Sequence, residues 1–375
     1  MNGIYIHVPF CLSKCGYCDF YSITRNLDKG RFAEAIGREL NYRSDYLAEK
    51  EIDTIYFGGG TPSLLKPLQL ESILGSVTDH FTLAGDHEIT LEANPDDLDE
   101  ELLNAFRSIG INRLSIGIQS FEDQHLKLMN RRHASAQAVS AVRKAHRAGF
   151  ERISIDLIYG IPGMSPEGWI RNLEQAIALP VGHISAYHLT IEPGTPFARY
   201  KREGIISEVL EKESVEQYVM LIDRLTTAGF EMYEISNFAR GGAYSRHNLK
   251  YWLGGHYLGL GPSAHSFNGG HRHWNPGSLQ RYYALVDQGE QPEGEEIDLE
   301  TARNELVMTR LRTKWGITRE EFNGLFGEKE WASLLEAAQP FIRSGDLLLR
   351  ADNHLVFNPE SWFRSDGILA RLFKG

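Results

Sequence analysis

The chain has little cysteine, no long apolar run and no excess of basic residues. Its 375 residues include three cysteines, and all three lie between positions 11 and 18. An odd number of cysteines in so large a chain argues against a disulfide framework. The longest apolar stretches are about as long as a strand and are interrupted by polar residues, so no transmembrane helix is predicted.

Charge and composition exclude further classes. The first residues lack the basic start and the long apolar segment of a signal peptide, so we expect a cytoplasmic protein in a reducing compartment. The formal net charge is −11, from 50 acidic and 39 basic residues. A surface of that sign does not attract phosphate backbones, and nucleic acid is not expected as a partner.

The three cysteines, Cys11, Cys15 and Cys18, have the spacing Cys-x3-Cys-x2-Cys. A four-iron cluster has four positions for protein thiolates, so three cysteines leave one iron open. A small molecule with an amine and a carboxylate could bind that iron. Two alternatives remain open: the cysteines could be small buried hydrophobic residues, or they could hold zinc with His7 as the fourth ligand.

Up to about residue 190, short apolar runs alternate with helical patterns. This rhythm predicts parallel strands joined by right-handed helical crossovers. The predicted strands are 3–8, 54–57, 88–91, 113–118, 152–157 and 183–189, and the predicted helices are 30–49, 67–81, 99–109, 134–149 and 166–178. Six such units fit an α/β fold with a partial (β/α)6 barrel better than a complete eight-stranded barrel.

Ligands of parallel α/β folds bind at the carboxyl ends of the strands. The cysteines follow the first predicted strand, and three glycines at 58–60 follow the second. Consecutive glycines permit positive φ and a close approach to a phosphate, an amine or a carboxylate, although a tight turn alone would also explain them. Further polar residues on or after the strands suit a nucleoside-like ligand; they are Glu92, Gln119, Arg131 and Asp156.

The second half of the chain has a different character. A helical pattern at 207–229 precedes a segment rich in glycine, histidine and aromatic residues, and the acidic residues 287–300 predict an exposed linker. Helical patterns at 301–314, 318–326 and 329–344 and a hairpin at 347–357 then follow the order of a winged helix. We therefore predict a core at 1–230, a segment completing it at 231–290, and a C-terminal, mainly helical, winged-helix-like domain at 291–375.

The cysteine pattern, with Tyr17 before the last cysteine, resembles that of the radical S-adenosylmethionine superfamily. This resemblance implies a [4Fe–4S] cluster held by the three cysteines. It also implies that S-adenosylmethionine binds the fourth iron and that electron transfer can cleave it to a 5′-deoxyadenosyl radical.

Four segments, 5–11, 57–62, 117–121 and 259–264, are similar to the oxygen-independent coproporphyrinogen III oxidase family. The resemblance implies a partial (β/α)6 barrel followed by a C-terminal helical domain. The residues that it implies for S-adenosylmethionine are Tyr5, Tyr17, Gly60, Thr61, Glu92, Gln119, Arg131 and Asp156.

Two departures separate the chain from the oxidase itself. Phe20 stands where the oxidase has a further cysteine, and the chain begins ten residues before Cys11, where the oxidase has an extension. A paralogous branch of haem chaperones shares both departures and is marked by the motif His-Asn-x-x-Tyr-Trp. The motif is present at 247–252, and the haem-binding residues that it implies are His247, Asn248, Tyr251 and Trp252.

The segment around this motif is dense in histidine, with five of the 14 histidines of the chain between 247 and 273. Imidazole can bind haem iron, and aromatic rings can cover a porphyrin. The alternative is that the aromatic residues belong to a core and that His247 is a hydrogen-bonded loop residue.

The sequence therefore predicts a haem chaperone with a cluster, S-adenosylmethionine and haem, which delivers haem to acceptor proteins such as respiratory enzymes. Peripheral membrane contact is conceivable if the acceptor lies in a membrane. The alternatives are the oxidase, which removes carboxyl groups from propionate side chains by radical chemistry, and a radical enzyme with another substrate. No catalytic residue and no oligomeric state are predicted.

Overall fold

A computed structural model describes residues 1–25 and 28–374 of the chain. Six parallel strands alternate with helices in its first half, as the sequence predicts. The strands are β1 (Asn2–Val8), β2 (Glu51–Gly59), β3 (Thr82–Ala93), β4 (Arg113–Gln119), β5 (Arg152–Tyr159) and β6 (His183–His188). The helices are α1 (Lys29–Arg43), α2 (Pro67–Thr78), α3 (Glu100–Ser108), α4 (Asp123–Leu128), α5 (Ser135–Arg147) and α6 (Pro166–Ile177).

Local sequence explains where these helices begin. In α6, the hydroxyl of Ser165 accepts a hydrogen bond from the Gly168 amide, and Pro166 occupies the first turn, where its missing N–H costs nothing. Asp99 caps α3 in the same way through the Leu102 amide. The apolar residues of β1 and β5 that face these helices are fully buried, so packing against the helices fixes the register of the strands.

The second half adds elements to both edges of the sheet. They are α7 (Pro196–Arg202), α8 (Glu211–Thr227), β7 (Glu231–Glu234), β8 (Asn237–Ala239), α9 (Arg246–Trp252), β9 (His256–Leu260), β10 (His265–Phe267), β11 (His271–Trp274), α10 (Leu279–Gln288) and β12 (Glu293–Glu296). The complete order is β12-β11-β10-β9-β1-β2-β3-β4-β5-β6-β8-β7. Strand β9 is parallel to β1, whereas the other added strands are antiparallel to their neighbours.

The C-terminal part follows the winged-helix-like order. Its elements are α11 (Leu299–Arg310), β13 (Ile317–Thr318), α12 (Arg319–Phe326), α13 (Glu328–Ser344), β14 (Leu347–Leu349), β15 (His354–Phe357) and α14 (Ser365–Leu372). The predicted hairpin turns at Asn353, whose φ is 58°. The fold class, a partial (β/α)6 barrel with a mainly helical C-terminal domain, is confirmed, and the boundaries at 230 and 290 stay a prediction.

The acidic segment at 287–300 differs from the prediction of a linker. Its residues Glu293–Glu296 form β12, which pairs with β11 at the edge of the large sheet. All four residues of β12 are exposed, and the carboxylate of Glu295 lies 2.8 Å from the guanidinium of Arg272. Charged residues are common on edge strands because they oppose pairing with other chains, so acidity at this place is compatible with a strand.

One continuous apolar core joins the barrel to the C-terminal part. Trp362 is buried there and donates from its indole nitrogen to the Leu311 carbonyl, 2.9 Å away. The Tyr218 hydroxyl, on α8, donates to the Pro359 carbonyl. None of the helices in residues 1–25 and 28–374 combines the length and the apolar character that a membrane-spanning helix needs.

Candidate functional site

A cavity of about 470 Å³ occupies the inside of the barrel and opens where the parallel strands end. All three cysteines line it. Of the eight residues predicted for S-adenosylmethionine, seven line the same cavity: Tyr17, Gly60, Thr61, Glu92, Gln119, Arg131 and Asp156. The barrel thus brings residues from positions 11 to 156 into one site.

The cysteine loop is held in place by backbone hydrogen bonds. The amide of Cys11 donates to the Ile23 carbonyl at 2.9 Å, and the amide of Gly16 donates to the Met129 carbonyl at 3.0 Å. A Cβ at Gly16 would lie 2.6 Å from the Phe197 ring, so only glycine fits there. The three cysteines are free thiols, half-buried at the wall of the cavity.

Two side chains contact the thiols. A guanidinium nitrogen of Arg131 lies 3.3 Å from Cys15 Sγ, and the Thr61 hydroxyl lies 3.5 Å from Cys11 Sγ. Burial raises the pKa of Cys11 and of Cys18. Metal ligation requires thiolates, so a cation and a hydroxyl beside the sulfurs favour the ligating form.

Several features of this wall fit a bound cluster and its small ligand. A Cβ on Gly60 would lie 2.7 Å and 2.9 Å from the carbonyls of Phe10 and Val8, which leaves room only for bare backbone. The Nε of Arg131 is buried and has no partner among the described residues. Within residues 1–25 and 28–374, no group of three His, Cys, Asp or Glu side chains is arranged to hold a metal ion.

The zinc alternative needs His7 as a ligand, but both ring nitrogens of His7 have other partners. Nε2 lies 2.9 Å from the Tyr21 carbonyl and Nδ1 lies 3.2 Å from the Tyr5 hydroxyl. The side chain is buried under Gly59, whose φ of 106° requires glycine. These hydrogen bonds count against His7 as a metal ligand.

Glu92 and Asp156 place two carboxyl groups in the cavity. Glu92 accepts from the Tyr56 hydroxyl at 2.7 Å and from the Gly59 amide at 3.2 Å, while desolvation raises its pKa to about 7. Asp156 accepts from the Ser115 hydroxyl at 3.3 Å, and desolvation raises its pKa to about 6. Near neutral pH each group can therefore gain or lose a proton, and each can hydrogen-bond ligand hydroxyls.

Gln119 has a φ of 68°, a left-handed conformation that is uncommon for residues other than glycine. It follows a register shift between β4 and β5, which turns its side chain towards the cavity. Such strain occurs where the surrounding structure holds a residue for ligand binding.

Tyr5 is placed differently from the other predicted contacts and, in the described part of the chain, is not among the residues that line the cavity. Its ring stacks on Tyr56 with centroids 6.1 Å apart, and Tyr56 in turn donates to Glu92. In this arrangement Tyr5 supports the wall from behind.

The His-Asn-x-x-Tyr-Trp motif forms helix α9, which closes the amino-terminal end of the barrel. Ser245 caps this helix through the Asn248 amide, and both residues line the cavity. Tyr251 is 37% exposed, and Trp252 is half-buried. One face of the motif therefore borders the cavity of the cysteines, and another reaches the surface.

His247 is 1% exposed, and both its ring nitrogens and its backbone amide have hydrogen-bond partners. Nδ1 lies 2.8 Å from the Thr54 hydroxyl, Nε2 lies 3.0 Å from the Tyr251 hydroxyl, and the backbone amide donates to Glu88. Burial lowers its pKa well below the usual range, so the ring is neutral. Neither nitrogen is available to a metal in this conformation.

Sequence reasoning missed a set of polar residues deeper in the barrel. They line the cavity below the cysteines and are Thr90, Arg113, Ser115, Ser154, His183 and Ser185. Their signal was the alternation of polar and apolar residues within β3, β4, β5 and β6, which marks a polar inner face. Arg113 forms a buried ion pair with Glu88, at 3.4 Å, and donates to the Ser154 hydroxyl.

Comparisons with known proteins agree with this site. The family model described as "Radical SAM superfamily" matches residues 5–176, and that described as "HemN C-terminal domain" matches residues 297–363. The chain is 37% identical to "Heme chaperone HemW" of Mycobacterium tuberculosis, over 84% of this chain and 82% of the relative. It is 33% identical to "Heme chaperone HemW" of Bacillus subtilis, over 96% and 94% of the two chains.

Among solved structures, the coproporphyrinogen III oxidase HemN of Escherichia coli superposes with a TM-score of 0.86. The alignment covers 100% of this chain and 90% of that one. The sequence identity is 21%, so this likeness establishes the fold.

Proposed function

Because the chain belongs to the HemW family of haem chaperones, we propose that it binds haem and delivers it to acceptor proteins. The observation that carries the proposal is the extent of the similarity, which covers both the cysteine loop and the C-terminal part. Phe20, 68% exposed at the cavity mouth, occupies the place of the further cysteine expected of an oxidase.

We propose that Cys11, Cys15 and Cys18 hold the [4Fe–4S] cluster of the radical SAM superfamily. When bound, the cluster supplies redox-active iron with one open position for S-adenosylmethionine. Arg131 keeps the Cys15 sulfur in a cationic environment and is itself fixed by the Asn94 and Gly117 oxygens, 2.7 and 2.6 Å away.

The same cavity would hold S-adenosylmethionine. Gly60 and Thr61 offer bare backbone and a hydroxyl next to Cys11. The polar groups of Glu92, Gln119 and Asp156 line the remaining wall and suit ribose hydroxyls and a purine. Tyr17 lines the cavity from the cysteine loop itself, with its ring packed edge-on against Phe197. Tyr5 would act through Tyr56.

For haem we propose the surface of α9, with His247, Asn248, Tyr251 and Trp252 as the binding residues. Tyr251 and Trp252 supply partly exposed aromatic area for a porphyrin. Ligation by His247 requires that its Nε2 exchange the Tyr251 hydroxyl for iron. The proposal therefore includes a local rearrangement of α9 when haem binds.

A haem titration of anaerobically reconstituted protein, followed by its Soret band, tests this assignment. We expect saturable binding by the wild type and at least tenfold weaker binding with a shifted band for His247→Ala. Tyr251→Phe, which releases Nε2, is expected to bind haem at least as well as the wild type. His146→Ala, on the exposed face of α5, is the matched control.

Equal affinity and equal spectra for wild type and His247→Ala would show that the assigned ligand is wrong. In that case the exposed His265 and His271, in the same segment, would be the next candidates. Anaerobic conversion of coproporphyrinogen III to protoporphyrinogen would instead show an oxidase.

The acceptors that we propose are haem proteins such as respiratory enzymes, reached in the cytoplasm or at a membrane surface. The negative net charge of −11 favours acceptors with a basic docking face.

A further inference from the structure

An exposed imidazole lies in the histidine-rich segment that follows the predicted haem motif. His265 begins β10 and is exposed, and neither of its ring nitrogens hydrogen-bonds to another described residue. His247, by contrast, is buried, and both its ring nitrogens are engaged. Haem iron takes a single imidazole nitrogen as an axial ligand. His265 can therefore ligate the iron without breaking a contact, whereas His247 cannot.

The backbone that carries His265 is held rigidly. A Cβ on Gly259 would lie 2.0 Å from the His265 carbonyl oxygen, so β9 and β10 are in direct backbone contact at this point. The Ser266 hydroxyl oxygen accepts from the Gly259 amide and from the Arg43 guanidinium, each at 2.9 Å. Arg43 is fixed in turn by the buried carboxylate of Glu39, 2.7 Å away. His265 therefore has a defined position at the edge of the sheet.

His265 shares one face of the sheet with a row of aromatic residues. Paired residues of neighbouring strands lie on the same face, as do residues two apart along a strand. The pairs on this face are Tyr257 with Phe267, Phe267 with Arg272, and His265 with Trp274. The three aromatic residues are half-buried, so part of each ring is accessible. The rings of His265 and Trp274 are in contact, with centroids 6.3 Å apart.

This aromatic face is continuous with the predicted haem motif. Tyr251, on α9, packs edge-on against Tyr257, with ring centroids 4.7 Å apart. Tyr257 in turn lies 6.3 Å from Phe267, measured between the ring centroids. Aromatic rings in such a row supply the apolar area that covers a porphyrin. A porphyrin on this face would thus reach from the exposed imidazole to the residues of α9.

The face also holds a cation for a haem propionate. The guanidinium of Arg272 lies 5.9 Å from the Phe267 ring centroid and forms ion pairs with Glu295 and Glu305. The side chain of Glu295 is 49% exposed. Because an exposed ion pair stabilises a protein little, a propionate can take the place of Glu295 at the guanidinium.

We propose that haem is first captured on this aromatic face, with His265 as the axial ligand of the iron and the porphyrin over the rings that lead to Tyr251. The inference rests on the proposed function, which makes haem the cargo of the protein. His247 ligates iron only after its Nε2 has left the Tyr251 hydroxyl. Capture by His265 therefore precedes the rearrangement of α9.

Stopped-flow mixing of anaerobically reconstituted protein with dilute haem, followed at the Soret band, tests this order. We expect two phases for the wild type. His265→Ala should lower the amplitude of the first phase about tenfold, because the iron then has no ligand on this face. His247→Ala should keep the first phase and lose the second. The matched control is His271→Ala, since His271 is also exposed but lies on the opposite face of β11.

A ligand-exchange variant separates ligation from a structural role. His265→Tyr keeps an aromatic ring and offers a phenolate oxygen to ferric iron, so the Soret band of the first phase should shift. A wild-type first phase in His265→Ala, a wild-type Soret band in His265→Tyr, or a single phase that His265→Ala leaves unchanged would overturn the inference alone. If the wild type showed no saturable haem binding, the proposed function would be wrong as well.

Discussion

The carboxyl group of Glu92 offers a quantitative test of the cavity. Desolvation raises its pKa from 4.5 to about 7 in the folded protein. Between these pH values the unfolded chain loses the proton while the folded chain keeps it, so the stability of the fold falls as pH rises through this window. The difference corresponds to about 3 kcal/mol at pH 8, and to almost nothing at pH 4.5.

Substitution by the uncharged isostere should remove this penalty. Glu92→Gln loses a good acceptor for the Gly59 amide, which costs about 1 kcal/mol at any pH. In cluster-free protein we therefore expect the variant to be more stable than the wild type by about 2 kcal/mol at pH 8, and slightly less stable at pH 5. Urea unfolding midpoints at the two pH values measure the effect.

The control is Glu101→Gln, an exposed carboxylate on α3. Its effect on the unfolding midpoint should be the same at both pH values. If Glu92→Gln likewise shifted the midpoint equally at pH 5 and pH 8, the carboxyl would not be desolvated, and the description of the cavity wall would be refuted.

Two further substitutions follow from the packing. Gly60→Ala would place a Cβ 2.7 Å from a backbone carbonyl, so we expect reduced iron content after reconstitution. The control Gly75→Ala, whose Cβ would have nothing within 4 Å, should keep the iron content of the wild type. Equal iron content in the two variants would show that Gly60 is not packed as described. Lys250 lies on α9 with its side chain buried, and burial lowers its pKa to about 8. The unfolded chain binds this proton more tightly, so Lys250→Met should stabilise the fold at pH 7 and lose this advantage as pH rises towards 10. Thermal melting of wild type and variant measures the effect. A difference in melting temperature that stays constant with pH would contradict the lowered pKa of Lys250.

The parallel core was predictable because its signals are local. In each strand from β1 to β6, the face that packs against the helices is apolar, and glycine or polar residues follow the strand. Three of the helices, α1, α3 and α6, begin at a residue whose side chain caps them. The cysteine spacing is also local and places three thiols on one loop. Such signals can be read from the sequence without knowing which residues meet in the fold.

The edge strands β9–β12 were not predictable in this way. Their residues are histidine, glycine, aromatic and acidic, and they become strands only because β1 offers an unpaired edge to β9 and each strand then pairs with the next. The acidic β12 reads as a linker when its pairing with β11 is unknown. Pairing of this kind depends on tertiary context rather than on local propensity.

The residues of the site also divide into those with a local sequence signal and those without one. Arg131 and Asp156 were found because they stand near strand ends, whereas His183 was missed because it begins a strand and faces inwards. The burial of His247 was equally hidden, since it depends on Thr54, nearly two hundred positions away, and on the packing of α9 against the barrel. The sequence identifies candidate residues, whereas the fold determines which of their atoms are available to a ligand.

A haem chaperone carries haem and gives it up to other proteins. The most direct test loads anaerobically reconstituted protein with haem, mixes it with a haem-depleted respiratory cytochrome, and follows the spectrum of the acceptor. We predict saturable loading and transfer faster than from an equal concentration of free haem, with slower transfer by Cys15→Ala. Loading that does not saturate, or transfer no faster than from free haem, would show that the chain is not a haem carrier.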